Sequence, residues 1–65
     1  MKINSELIEK MMFERLWTQE DLAKASGISR ATVSSVTRHG SGARSTVYKI
    51  AQALNVDPME LVGRS

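Results

Sequence analysis

The chain has 65 residues, no cysteine, 42% hydrophobic residues and a formal charge of +2. That size makes one small domain, spanning residues 1–65 and near the lower limit for a self-standing core. The missing cysteines exclude a disulfide framework and a thiolate metal site. No apolar run approaches the roughly 18 residues that suggest a membrane span, and the opening Met1 to Glu6 lacks the apolar stretch of a secretory signal. The expectation is a soluble cytoplasmic protein with no membrane association.

No strand pattern appears, because the β-branched residues are spaced for helices and no Asn-Gly or Asp-Gly hairpin turn is present. The first helix is expected from about Ser5 to Arg15. Asn4 or Ser5 can cap it, and Leu7, Ile8, Met11 and Met12 follow helical spacing. The second runs from Thr18 to about Ala25. Thr18 is a good N-cap, Thr-x-x-Asp21 is a weak capping box, and Leu22 and Ala23 turn inward. Gly27 ends it, since glycine tolerates positive φ just past a helix.

The third helix is expected from a cap at Ser29 to about Arg38. Val33 and Val36 lie on one side. At about 100° per residue, Arg30, Ala31, Ser34, Ser35 and Arg38 share a sector on the other. His39 to Gly42 reads as a loop by its glycines. The fourth helix starts near Ser45 or Thr46 and ends at Leu54, burying Val47, Ile50, Ala51 and Leu54, with Asn55 or a neighbour closing it. Asp57-Pro58-Met59-Glu60 opens a short fifth helix, with a cap, a proline at the first position and a glutamate at the third. Leu61 and Val62 follow, and Gly63-Arg64-Ser65 is expected to fray. The fold class is therefore all-α, with five helices.

Charge is segregated. Met1 to Asp21 carries −2 and Asp57 to Ser65 carries −1, whereas Leu22 to Val56 holds five cations and no acid, for +5. A stretch of 35 residues without a carboxylate suits a side that faces a polyanion.

The residues Thr18-Gln19-Glu20-Asp21-Leu22-Ala23-Lys24-Ala25-Ser26-Gly27-Ile28-Ser29 resemble the phage-repressor and Cro-type helix-turn-helix family, also called the Xre family. The run Lys49-Ile50-Ala51-Gln52-Ala53-Leu54-Asn55-Val56-Asp57 is similar to that family's fourth helix and its exit. The resemblance spans Thr18 to about Leu61. It implies a compact five-helix, repressor-like domain with its helix-turn-helix at about residues 18–38. It also implies a partner, duplex DNA, bound by a homodimer on a palindromic operator, with helix 29–38 in the major groove. Gln19 matches a position that contacts a backbone phosphate. Arg30, Ala31, Ser34 and Ser35 match positions that reach base edges. Thr32, Arg38 and the loop from Ser41 to Arg44 match positions near the sugar-phosphate backbone. Thr18 and Ser29, at the two helix starts, join the backbone set.

Three departures stand out. The family often pairs an arginine at Met12 with a glutamate at Thr37; both are missing together, so no orphaned charge remains. It often has glycine at Leu16, where positive φ is costly for leucine and argues against the standard turn. The loop between the third and fourth helices is short and lacks its usual proline.

The residues themselves suggest the chemistry. Arg30 can grip guanine O6 and N7 in a bidentate pair, and Ala31 offers a methyl to thymine. Ser34 and Ser35 are small and let the helix approach closely. Arg38, Arg44 and Lys49 are phosphate-facing charges. Trp17 reads as a core wedge between the first two helices. The single histidine, His39, cannot build a zinc site alone. Glu20 and Asp21 fall on different sides of a helix, and Ser41 lies in a flexible loop with no strand before it, so no catalytic set assembles. No enzyme activity, cofactor, metal or small-molecule ligand is expected.

The expected function is a bacterial or phage-encoded, nucleoid-associated transcriptional regulator that represses by occlusion, since the chain leaves no room for an effector domain. Met59, Leu61 and Val62 form the expected dimer patch, with Phe13 and Leu16 as the rival. An antitoxin of a toxin–antitoxin pair, binding a toxin and its own operator, is the alternative function. A purely structural helical module is a third, and it predicts no salt-dependent duplex binding.

Overall fold

A computed structural model describes residues 2–62. It contains α1 (Ser5–Glu14), α2 (Gln19–Ser26), α3 (Arg30–His39), α4 (Arg44–Leu54) and α5 (Pro58–Leu61), within overall extents of 28 × 21 × 19 Å. The expected fraying of residues 63–65 lies outside the described residues.

Each helix contributes a narrow apolar stripe to one core. Ile8 and Met12 come from α1, Leu22 and Ala23 from α2, and Val33 and Val36 from α3. Val47, Ile50, Ala51 and Leu54 come from α4 and Leu61 from α5. Leu7, Met11 and Trp17 pack at its edge. With so few large side chains fully buried, truncating any one of Ile8, Leu22, Ile50, Leu54 or Leu61 to alanine removes about 2–5 kcal/mol, a large share of a small domain's stability.

The caps explain where the helices begin and stop. Asn4 accepts from the Leu7 amide at 3.1 Å. Thr18 and Asp21 form a full capping box, the Thr18 amide donating to the Asp21 carboxylate at 2.8 Å and the Asp21 amide to the Thr18 hydroxyl at 3.2 Å. Gly27, Gly40 and Asn55 close α2, α3 and α4 in left-handed conformations. Gly40 has a second constraint: a Cβ there would meet the Ile3 carbonyl oxygen at 3.0 Å.

Two boundaries differ from the sequence reading. His39 belongs to the last turn of α3, because the left-handed cap falls at Gly40 and not before it. Helix α4 starts at Arg44, one turn-position earlier than Ser45 or Thr46, behind an Ala43 cap that offers no side-chain hydrogen bond. The serine and threonine that read as caps lie inside the first turn.

The turn after α1 is a further difference. Leu16 adopts φ +57°. The Leu16 amide donates to the Phe13 carbonyl at 3.0 Å and the Trp17 amide to the Met12 carbonyl at 2.8 Å. These two bonds make a Schellman closure. The standard turn therefore survives the loss of glycine, with leucine carrying the backbone strain.

The N-terminal segment forms no strand, yet it is not loose. Ile3 is buried, its amide donates to the Gly40 carbonyl at 2.7 Å, and the Asn4 amide donates to the Leu61 carbonyl at 2.7 Å. Isolated bridges pair Lys2 with Ser41 and Ile3 with Val62.

Candidate nucleic-acid interface

Helices α2 and α3 are joined by three residues, with Gly27 at φ +73° and Ser29 extended at ψ 153°. Ile28, between them, packs against the core and anchors the turn. The core face of α3 is Val33, Val36 and Thr37, all buried. Its opposite face presents Arg30, Ala31, Ser35 and Arg38 to solvent, while Ser34 is half-buried at the margin. A short helix held by its apolar stripe, with small and cationic residues outward, has the shape that a major groove admits.

The start of α3 is fixed by its own hydroxyls. Ser29 accepts from the Thr32 amide at 3.1 Å, and the two side-chain oxygens are 2.8 Å apart. At the start of α2 the capping box occupies the amides of Thr18 and Asp21. The amides of Gln19 and Glu20 are left as the open donors of that turn, in the positive end of the helix dipole.

Among the described residues the ion pair is Lys24 with Glu20 at 3.6 Å, both well exposed. Arg30, Arg38, Arg44 and Lys49 have no carboxylate within 4.0 Å among those residues. Their charges are unneutralised inside the acid-free stretch.

A family model for the Cro/C1-type helix-turn-helix DNA-binding domain matches residues 8–65. The chain belongs to the Cro/C1-type helix-turn-helix family. Searches for curated relatives and for solved structures return no match. A Cro/C1-type domain is a DNA-binding regulatory domain, so duplex DNA is the partner and regulation of transcription the setting. Among the described residues no three metal-ligating side chains cluster, and no helix is long and apolar enough to cross a membrane.

Within this Cro/C1-type frame the sequence-derived residues divide. Thr18 and Gln19 lie at the start of α2, Ser29, Arg30, Ala31 and Thr32 at the start of α3, and Ser34, Ser35 and Arg38 further along its outer side. Ser41 is exposed and sits in the bridge to Lys2. Arg44 lines a groove with Val47, Tyr48, Pro58, Met59 and Val62, between α4 and α5. Lys49 follows five residues later, about 140° around the helix. Arg44 and Lys49 therefore occupy different faces of α4.

Two contributors were missed in the sequence. The Arg15 guanidinium donates to the Met11 carbonyl at 3.0 Å and to the Leu54 carbonyl at 2.9 Å, and it lies 5.9 Å from the Trp17 ring centre. It pins the end of α1 to the end of α4. Thr37 is the other: it is 8% exposed, and its hydroxyl accepts from the Gln19 side-chain amide at 3.2 Å. Sequence spacing gives no sign of the Arg15–Leu54 and Gln19–Thr37 contacts, because both cross between elements. The Trp17 reading holds, since the ring is half-buried against the core between α1 and α2.

The Asp21 carboxyl is held below its ordinary value of 3.8, first by the hydrogen bond from the Thr18 amide and then by that from the Thr18 hydroxyl. Slight desolvation opposes this, and Lys24 adds a minor attraction.

Proposed function

We propose that this protein is a transcriptional repressor that binds a palindromic operator as a homodimer, inserting α3 into successive major grooves on one side of the duplex. Arg30, Ala31, Ser34 and Ser35 read base edges. Thr18, Gln19, Ser29, Thr32, Arg38, Ser41, Arg44 and Lys49 hold the backbone. Repression follows from occupancy, which excludes polymerase.

The observation that carries this reading is the outer face of α3, where exposed Arg30 and Arg38 flank small side chains and lack acidic partners among the described residues. One such face offers few base contacts, and the family's DNA partner rewards two-fold repetition. Recognition helices of a dimer sit about 34–36 Å apart, a spacing that two touching domains of 28 × 21 × 19 Å can span.

The contact patch in this reading is the α4–α5 face. Met59 is 77% exposed and Tyr48, which sequence reading overlooked, is 55% exposed. Leu61 drops out of the patch because it is fully buried. Phe13 and Leu16 remain the rival pair, at 77% and 82% exposed. Sedimentation of M59E against L16E separates the two patches, since the variant in the true contact turns monomeric.

Selection of bound sequences from a random duplex pool tests the whole. The expected result is an enriched inverted repeat with half-sites one helical turn apart. No enrichment overturns sequence-specific regulation, and a single unrepeated half-site overturns the dimer.

A further inference from the structure

We propose that Thr37 is a positioning residue for DNA binding, its hydroxyl orienting the Gln19 amide toward a phosphate. The proposal rests on the reading of Gln19 as a backbone contact and says what holds that side chain in place.

The geometry begins at the buried hydroxyl. Thr37 Oγ1 lies 3.1 Å from the Val33 carbonyl oxygen and 3.1 Å from the Ser34 carbonyl oxygen, both within its own helix. Its single proton is therefore directed along α3. What faces α2 is a lone pair, which only a donor can satisfy. This fixes the Gln19 side chain: its Nε2, and not its oxygen, must turn to Thr37, at 3.2 Å.

An amide nitrogen carries two protons. One is given to Thr37, and the second is left to donate outward beside the open amides of Gln19 and Glu20. The pair lies in a shallow groove lined also by Glu9, Met12, Phe13, Trp17 and Thr18. A glutamine otherwise loses its rotamer freedom on binding, at a cost that ordering before contact removes. The contact also ties the two helices of the helix-turn-helix together, so α3 and the phosphate-side amide move as one.

The test uses the intact protein with a mixed-sequence duplex, which isolates backbone contacts from base reading. Q19A is expected to bind roughly tenfold more weakly, the loss of a hydrogen bond to a charged group. T37V keeps the shape and removes the acceptor; it is expected to bind roughly threefold more weakly, the cost of an unordered glutamine. T37S restores affinity. The two losses do not add: in the Q19A background T37V has no further effect. The slope of affinity against salt stays at the wild-type value in all variants, because an uncharged contact releases no counterion.

Wild-type affinity in T37V, with Q19A weakened, overturns the positioning role alone. Wild-type affinity in Q19A overturns the phosphate reading and the positioning role with it. Equal losses from T37V in both backgrounds show a merely structural threonine. If T37V fails to fold, NMR relaxation of the Gln19 side-chain amide in the free wild-type protein decides: an ordered amide supports the proposal and a freely rotating one overturns it.

Discussion

Arg30 sits at the first position of α3, exposed and without an acidic partner among the described residues. Of the proposed reading face, it alone can make two directed hydrogen bonds to one base, which are worth about 1–3 kcal/mol of discrimination. Arg30→Ala is therefore expected to erase the preference for operator over random DNA while sparing part of the nonspecific affinity. Equal losses on both duplexes, in a direct binding titration, remove it from base reading. Leu16 makes the opposite kind of prediction. It holds φ +57° with its side chain 82% exposed, so the strained backbone gains almost no burial in return. A left-handed residue with a Cβ costs about 1–2 kcal/mol, and glycine gives back about 0.5–1 kcal/mol of that in unfolded-state entropy. Leu16→Gly should stabilise the domain by about 0.5–1 kcal/mol in denaturant unfolding; a destabilised variant shows that leucine packs where the turn looks bare.

At the scale of elements, the start of α2 is where acid should first be felt. Asp21 is a carboxylate whose folded pKa lies below 3.8, so its contribution is full above that value and is lost as pH falls through the lowered one. The melting temperatures of wild type and Asp21→Ala should differ at neutral pH, and the gap should begin to close only as pH falls below about 3.8. A gap that persists into strong acid assigns the difference to something other than the capping box. This element was legible in the sequence, as were Gly27, Asn55 and the inward stripes of all five helices, because caps and periodicity are local signals. The start of α4 was not, since Ala43 caps without a side-chain oxygen and Ser45 offered a false signal. Nor were Ile3, Arg15 and Thr37, whose partners Gly40, Leu54 and Gln19 lie on other elements. The outer face of α3 followed from helical geometry alone. Ser34 sits at its half-buried edge.

For the molecule as a whole, charge sets the response to salt. Each cation that neutralises a phosphate adds about one unit to the log–log slope. Arg44→Ala should weaken binding to every sequence alike and flatten that slope by about one; an unchanged slope takes Arg44 off the backbone set. This outcome is informative because Arg44 lines a groove together with Met59 and Val62, so a loss of self-association without a change of slope assigns it to the dimer contact. The molecule's other global feature is the bridge of Ile3 to Val62, with the Asn4 amide on Leu61. Helices and their turns form from neighbours along the chain, but this bridge closes a loop of nearly the whole domain and must bear that loop's entropy. Its native interactions therefore belong late on the folding route. Weakening it should leave the refolding arm of a chevron almost untouched and speed unfolding, which makes residues 2–4 the latch that sets how long the folded domain lasts.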